Sequence, residues 1–136
     1  MNRIYVISLH RPWAEWVMLG WKTIETRTHA RFFSLVGKRI GIHAAQKWDS
    51  LAIAAAQRWL TPAQIEASHQ METDAKGGTL LGTVRCNAVR RLSTADSAGA
   101  LIECGTKRFG LFLTEIEEFP KPIPMRGYQG MWSAII

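Results

Sequence analysis

The segment Gly20-Trp21-Lys22-Thr23-Ile24-Glu25-Thr26-Arg27 sets one carboxylate between two cations within six residues. On a strand, Glu25 and Arg27 project from the same face, because side chains alternate with period two. Lys22 has the opposite parity, but at the mouth of a strand its long stem can swing toward them. A carboxylate held between two cations stays ionised and keeps both in place. Such a cluster could clamp a phosphate or orient a base edge. The same spacing also suits a solvated strand face whose ion pairs contribute little. Catalysis is a third option. Lys22, made less basic by Arg27 and by partial burial, could act as a base, with Glu25 as acid or orienter. His10 or His43 could complete an acid–base pair for cleavage beside a ribose 2′-hydroxyl.

Aromatic side chains are the next candidates. Trp13, Trp21 and Tyr128 lie beside this motif or in a glycine-rich turn, where they could stack a base. Trp16, Trp48 and Trp59 recur at helical spacing and read as core, as Trp132 does in a closing strand; Trp13 fits either role. Gln46 and Lys47 could line the far wall of a cleft as phosphate or base contacts, or start a solvated helix. Arg85, Arg90 and Arg91 read as a solubilising face more than as a phosphate track. The four histidines (His10, His29, His43, His69) and two cysteines show no paired ligand spacing, so no metal site and no cofactor is expected. No nucleotide-binding glycine loop is present, and Gly77-Gly78 reads as a turn.

These side chains need a scaffold, and the hydrophobic pattern supplies one. Ile4–Leu9 reads as a strand buried on both faces. Pro12 suits the first turn of a helix, and Trp13, Trp16, Val17 and Gly20 follow at i, i+3, i+4 and i+7. That predicts a short amphipathic helix over Pro12–Leu19, stopped by Gly20 in a left-handed conformation. Strands are expected at Thr23–Thr28 and Arg39–Ala44. A helical face follows in Trp48, Leu51, Ala52, Ala55 and Trp59. Thr61-Pro62-Ala63-Gln64 has the capping-box pattern, so a second short helix should run to about Met71. Further strands are expected at Thr79–Val89, Phe109–Ile116 and Met131–Ile136. Ser93–Thr106 reads as loop with at most a helical turn. Pro120, Pro122 and Pro124 keep their segment extended.

At 136 residues, 47% hydrophobic and 21% charged, the chain fits one domain with a real core. Its net charge of +6 favours an anionic partner and speeds encounter with phosphate backbones. Cys86 and Cys104 lack CxxC spacing, and Cys86 on a strand reads as core. Two cysteines in so small a chain suit a reducing compartment. The residues from Met1 to Ser8 lack the apolar run and cleavage site of a leader, and no run approaches the ~18 apolar residues of a spanning helix. The expectation is a cytoplasmic protein with no membrane partner.

The motif Gly-x-Lys-x-x-Glu-x-Arg resembles the signature of the ASCH domains and is complete here in Gly20, Lys22, Glu25 and Arg27. His10-Arg11-Pro12-Trp13-Ala14 is similar to that family's His-x-Pro-Trp-Ala stretch. Gly37-Lys38-Arg39-Ile40-Gly41-Ile42-His43-Ala44 resembles its next strand. Pro122-Ile123-Pro124 and Gly127-Tyr128-Gln129-Gly130-Met131-Trp132 resemble its usual ending. The likeness spans nearly the whole chain, with residues 48–77 the least characteristic. It implies a single ASCH domain over 1–136, an α+β PUA-like mixed-sheet β-barrel flanked by short helices, with a basic cleft beside the first helix. RNA or single-stranded DNA is the implied partner, and a nucleotide or modified nucleoside is a second candidate ligand. The alternative function is a hydrolase, either a ribonuclease or an enzyme resembling an N4-acetylcytidine amidohydrolase. In that related branch the motif reads Lys-x-x-Thr-x-Arg and the threonine is the nucleophile. Glu25 stands there in this chain, and Thr23 and Thr26 only flank that position, so the nucleophile is missing where that branch would need it.

Overall fold

Residues 2–105 and 107–136 are described by a computed structural model; Met1 and Thr106 lie outside the described residues. Strand β1 (Arg3–Arg11) leads into helix α1 (Trp13–Met18), with Pro12 at its N-cap. Gly20 takes φ +78°, the left-handed conformation that glycine adopts at little cost. The Trp21 and Lys22 backbone N–H groups both donate to the Trp16 carbonyl at 3.0 Å, turning the chain back into β2 (Ile24–Arg27). Arg11 anchors this corner. Its buried Nε donates to Glu15 at 2.7 Å, and its guanidinium reaches the Met71 carbonyl at 2.7 Å.

A 3-10 turn at Arg31–Leu35 precedes β3 (Arg39–Trp48). The short helix α2 (Ala52–Ala56) and α3 (Pro62–Met71) follow, the latter opened by the expected capping box of Thr61 and Gln64. Long strands β4 (Thr79–Arg91) and β5 (Phe109–Pro124) flank α4 (Ser97–Ala100), and β6 (Met131–Ile135) ends the chain. The three prolines between 120 and 124 continue β5.

The strands form one mixed sheet in the order β2-β5-β4-β3-β1-β6. Only β1 and β3 pair in parallel; the other neighbours are antiparallel. Register shifts in the β4–β5 and β3–β4 ladders mark bulges, which bend a sheet and increase its twist. The ladder does not close between β2 and β6. The architecture is therefore an open α+β sheet with four short helices, not the closed barrel that the family likeness implied. Ile7, Leu9, Val17, Ile40, Ile42, Val84, Leu111 and Leu113 fill the main core. A second cluster holds Trp16, Ala52, Ala56, Leu60 and Leu101 under α1 and α2. Buried Cys86 and Cys104 are free thiols. Among the described residues no helix is long and apolar enough to cross a membrane.

Three local expectations need correction. β3 runs on to Trp48, so Gln46 and Lys47 are strand residues and Trp48 is not part of a helix. Leu51 and Ala55 are exposed, and the buried face of α2 is Ala52 and Ala56. Periodicity there was carried by alanines, which mark propensity without choosing a face. The turn at Arg31–Leu35, unforeseen, buries Phe32 and Leu35. β1 is paired on both edges, by β3 and β6, but leaves Tyr5 exposed, so it is not buried on both faces along its length.

Candidate nucleic-acid interface

The Lys22-Glu25-Arg27 motif forms one connected chain of charges. Glu25 lies 3.7 Å from Lys22 Nζ through Oε1 and 3.2 Å from the Arg27 guanidinium through Oε2. Same-face projection from β2 brings Glu25 and Arg27 together, and the turn after Gly20 brings Lys22 in. Lys22 is 2% exposed. Its Nζ donates to the Ala100 carbonyl at 2.5 Å and sits 4.9 Å from the centre of the Trp13 ring. Burial lowers the Lys22 pKa from its ordinary value, against the opposing pull of the Glu25 carboxylate.

Trp13 is partly buried and held by several neighbours. Its indole N–H donates to Asp49 at 2.8 Å, and its ring meets Trp16 edge-on at 4.9 Å. Lys22 and Glu25 are thus buried, and Trp13 and Trp21 are partly buried against the second core cluster. None of them lines the large open hollow of the molecule.

That hollow is a cleft of about 1450 Å³. Its walls come from β1 (Ser8, His10), from β2 and the turn beyond it (Arg27, His29, Arg31, Phe32), from β3 (His43, Ala45, Gln46), and from residues 124–131. Arg27 alone of the motif reaches it. Arg27 also lies 4.9 Å over the Phe32 ring, and its Nε is buried without a hydrogen-bond partner. Three arginines (Arg27, Arg31, Arg126) and three histidines (His10, His29, His43) line the cleft, with no aspartate or glutamate among the lining residues. Partial burial, with Arg31 and Arg27 nearby, lowers the His29 pKa, and its ring stacks on Phe32 at 5.4 Å. Tyr128 is 54% exposed at the mouth, edge-on to Trp132 at 5.4 Å.

Of the residues singled out in the sequence, His10, Arg27, His43, Gln46 and Tyr128 meet at this cleft, and Lys47 does not line it. Arg31, Arg126 and Gln129 were missed; a lone arginine in a loop has no spacing that marks it. Ser8 was missed too, although it precedes His10 by two residues and so shares its strand face. Among the described residues no group of three His, Cys, Asp or Glu could hold a metal ion.

The family model for the ASCH domain matches residues 7–131. The chain belongs to the ASCH domain family. The solved structures agree on the fold. The crystal structure of the ASCH protein from Zymomonas mobilis is similar with a TM-score of 0.54 and 19% identity, over 88% of this chain and 72% of that one. A point variant of the same Zymomonas mobilis protein gives 0.52 and 17%, over 88% of this chain and 74% of that one. No curated protein sequence matches this ASCH chain.

Proposed function

We propose that this ASCH domain binds single-stranded nucleic acid, RNA foremost, along the cleft between β2, β3 and the 124–131 segment. The observation that carries this is the lining itself: six cationic or protonatable side chains and no carboxylate. Wall-to-wall positive potential in a recess attracts a polyanion and raises its local concentration. The volume exceeds the roughly 300–1,000 Å³ of a small-molecule pocket, which suits a chain of nucleotides. Gln46 and Gln129 offer amides to base edges, and Tyr128 offers a ring face for stacking. Arg27 keeps a buried N–H unpaired, a state that costs about 1–3 kcal/mol and that an acceptor on the ligand would relieve.

Lys22 and Glu25 act here as positioning residues. Glu25 fixes the Arg27 guanidinium at the cleft wall, and Lys22 balances Glu25 from behind. A catalytic role for the pair is disfavoured because Lys22 Nζ is enclosed by Ala100 and Trp13. The two buried free thiols suit a reducing, cytoplasmic setting.

The test is fluorescence anisotropy with a short single-stranded RNA at several salt concentrations. Each lost phosphate contact lowers the steepness of log K against log salt by about 0.7 on a single strand. The double variant Arg31→Ala/Arg126→Ala should therefore bind more weakly, with a slope shallower by about 1.4. Wild-type affinity and slope in that variant would show that the cleft is not the binding surface.

A further inference from the structure

Ser8 and His43 face the same cleft from neighbouring parallel strands, at directly paired positions of β1 and β3. Ser8 Oγ lies 3.0 Å from His43 Nδ1, and His43 Nε2 lies 2.8 Å from the Met125 carbonyl. The Trp132 indole N–H reaches Ser8 Oγ from the other side at 3.1 Å. The polarity of this chain is fixed at both ends. An indole N–H can only donate, and a carbonyl can only accept. The Met125 carbonyl therefore requires the proton on Nε2, which leaves Nδ1 of the neutral ring as an acceptor. Ser8 accepts from Trp132 and so donates its own hydroxyl proton to Nδ1. We infer that Ser8 is a nucleophile, with His43 as its general base and the Met125 carbonyl as the group that orients the base.

A hydroxyl within hydrogen-bond reach of a base, itself held by a third group, is the arrangement that nucleophilic catalysis needs. Gly127 packs directly against the pair, with His43 only 2% exposed, and leaves no room for a side chain there. A Cβ at that position would lie 2.5 Å from His43 Cε1, 2.6 Å from Nδ1 and 2.7 Å from Ser8 Oγ. Gly127 does not have the positive φ found at Gly20, Gly37, Gly78 and Gly130. What residue 127 contributes is therefore space, not an unusual backbone angle.

The reaction is acyl transfer. Ser8 Oγ attacks the carbonyl carbon of a carboxylic ester while its proton passes to His43 Nδ1. The tetrahedral intermediate collapses, the alcohol leaves with the proton from Nδ1, and the acyl group stays on Ser8. Water then attacks the acyl-serine and gives one proton to Nδ1. Ser8 leaves with that proton, and a carboxylic acid is released. Negative charge on the intermediate's oxygen develops in a cleft that holds cations and no carboxylate. A backbone carbonyl stabilises the imidazolium less than a carboxylate would, so an ester, whose leaving group needs less help, fits better than an amide. The alcohol half should be a nucleotide-like anion; that part alone rests on the reading of the cleft given above.

The test uses the full chain, a fluorophosphonate and p-nitrophenyl acetate, with adduct sites mapped by peptide mass spectrometry. A stoichiometric adduct on Ser8 is expected, absent in Ser8→Ala, with a burst of one nitrophenolate per chain. No adduct, or adducts only at other residues, overturns the inference. His43→Gln should slow acylation by about 10²–10⁴-fold. Gly127→Ala should block labelling while Ser8 and His43 remain, which gives a second reading if the histidine variant fails to fold; labelling at the wild-type rate in Gly127→Ala counts against the pair. Because p-nitrophenyl acetate is neutral, this result is independent of nucleic-acid binding. Single-stranded RNA should protect Ser8 from the fluorophosphonate. Labelling without protection would retain the dyad and reject the nucleotide-like substrate.

Discussion

Two charged regions meet at Arg27 and obey opposite rules. In the inner one, Lys22 and Glu25 are packed against Trp13 and the Ala100 carbonyl, each charge matched by a neighbour. In the outer one, Arg31 and Arg126 stand exposed in a cleft without a single carboxylate, and neither forms an ion pair among the described residues. Charge in the interior must be neutralised locally, because desolvation penalises it severely. Charge at the cleft can remain uncompensated because water screens it until a ligand arrives. Arg27 belongs to both regions, tied to Glu25 on one side and open to the cleft on the other. On the proposed reading, the inner group specifies structure and the outer group specifies what can bind.

That division can be broken most decisively at Glu25. Glu25→Ala leaves two cations without their shared partner, and removing one member of a buried pair costs about 3–5 kcal/mol. Urea unfolding should show a loss of that size; a variant as stable as wild type would mean the inner charges are not structural. A smaller effect is expected at Tyr128. Tyr128→Ala should weaken single-stranded RNA binding by about 1–3 kcal/mol, read by anisotropy, if its ring stacks a base. Unchanged affinity would remove Tyr128 from the interface.

Lys22 gives a subtler test through pH. Its pKa is lowered in the folded chain, chiefly by burial, so the unfolded chain binds more protons between that lowered value and the ordinary one near 10.5. Stability must then rise with pH across that window. Lys22→Met removes the titration, so the stability difference should move in favour of wild type as unfolding is followed upward from neutral pH. A difference that stays constant, or moves the other way, contradicts the burial of a titrating amine. The smallest effect belongs to the cleft: Arg31→Ala and Arg126→Ala should each change stability by no more than about 0.5 kcal/mol. A larger loss in either would erase the contrast between the two regions.

Much of the scaffold was legible before any coordinates. Gly20 stops α1 as its position implied, and the capping box of Thr61 and Gln64 opens α3. Both signals are local: a backbone angle in one case, a side chain meeting its own helix end in the other. The parity argument for Glu25 and Arg27 also held, since their contact needs only the pleat of one strand. The face of α2 was misjudged because alanines carry little hydrophobic contrast, and the extension of β3 through Trp48 depended on its pairing with β1.

The sequence alone determined the charge cluster, the family signature and the order of short elements, since each is written in neighbouring residues. Which charges would be buried and which would reach the cleft was decided only in three dimensions. Lys22 turned inward because α4 presents the Ala100 carbonyl there. The cleft, and the meeting of Ser8, His43 and Met125 within it, depend on residues separated by 35 and 82 positions. No local spacing encodes such a meeting. It follows from the parallel register of β1 with β3 and from the path of the chain between β5 and β6.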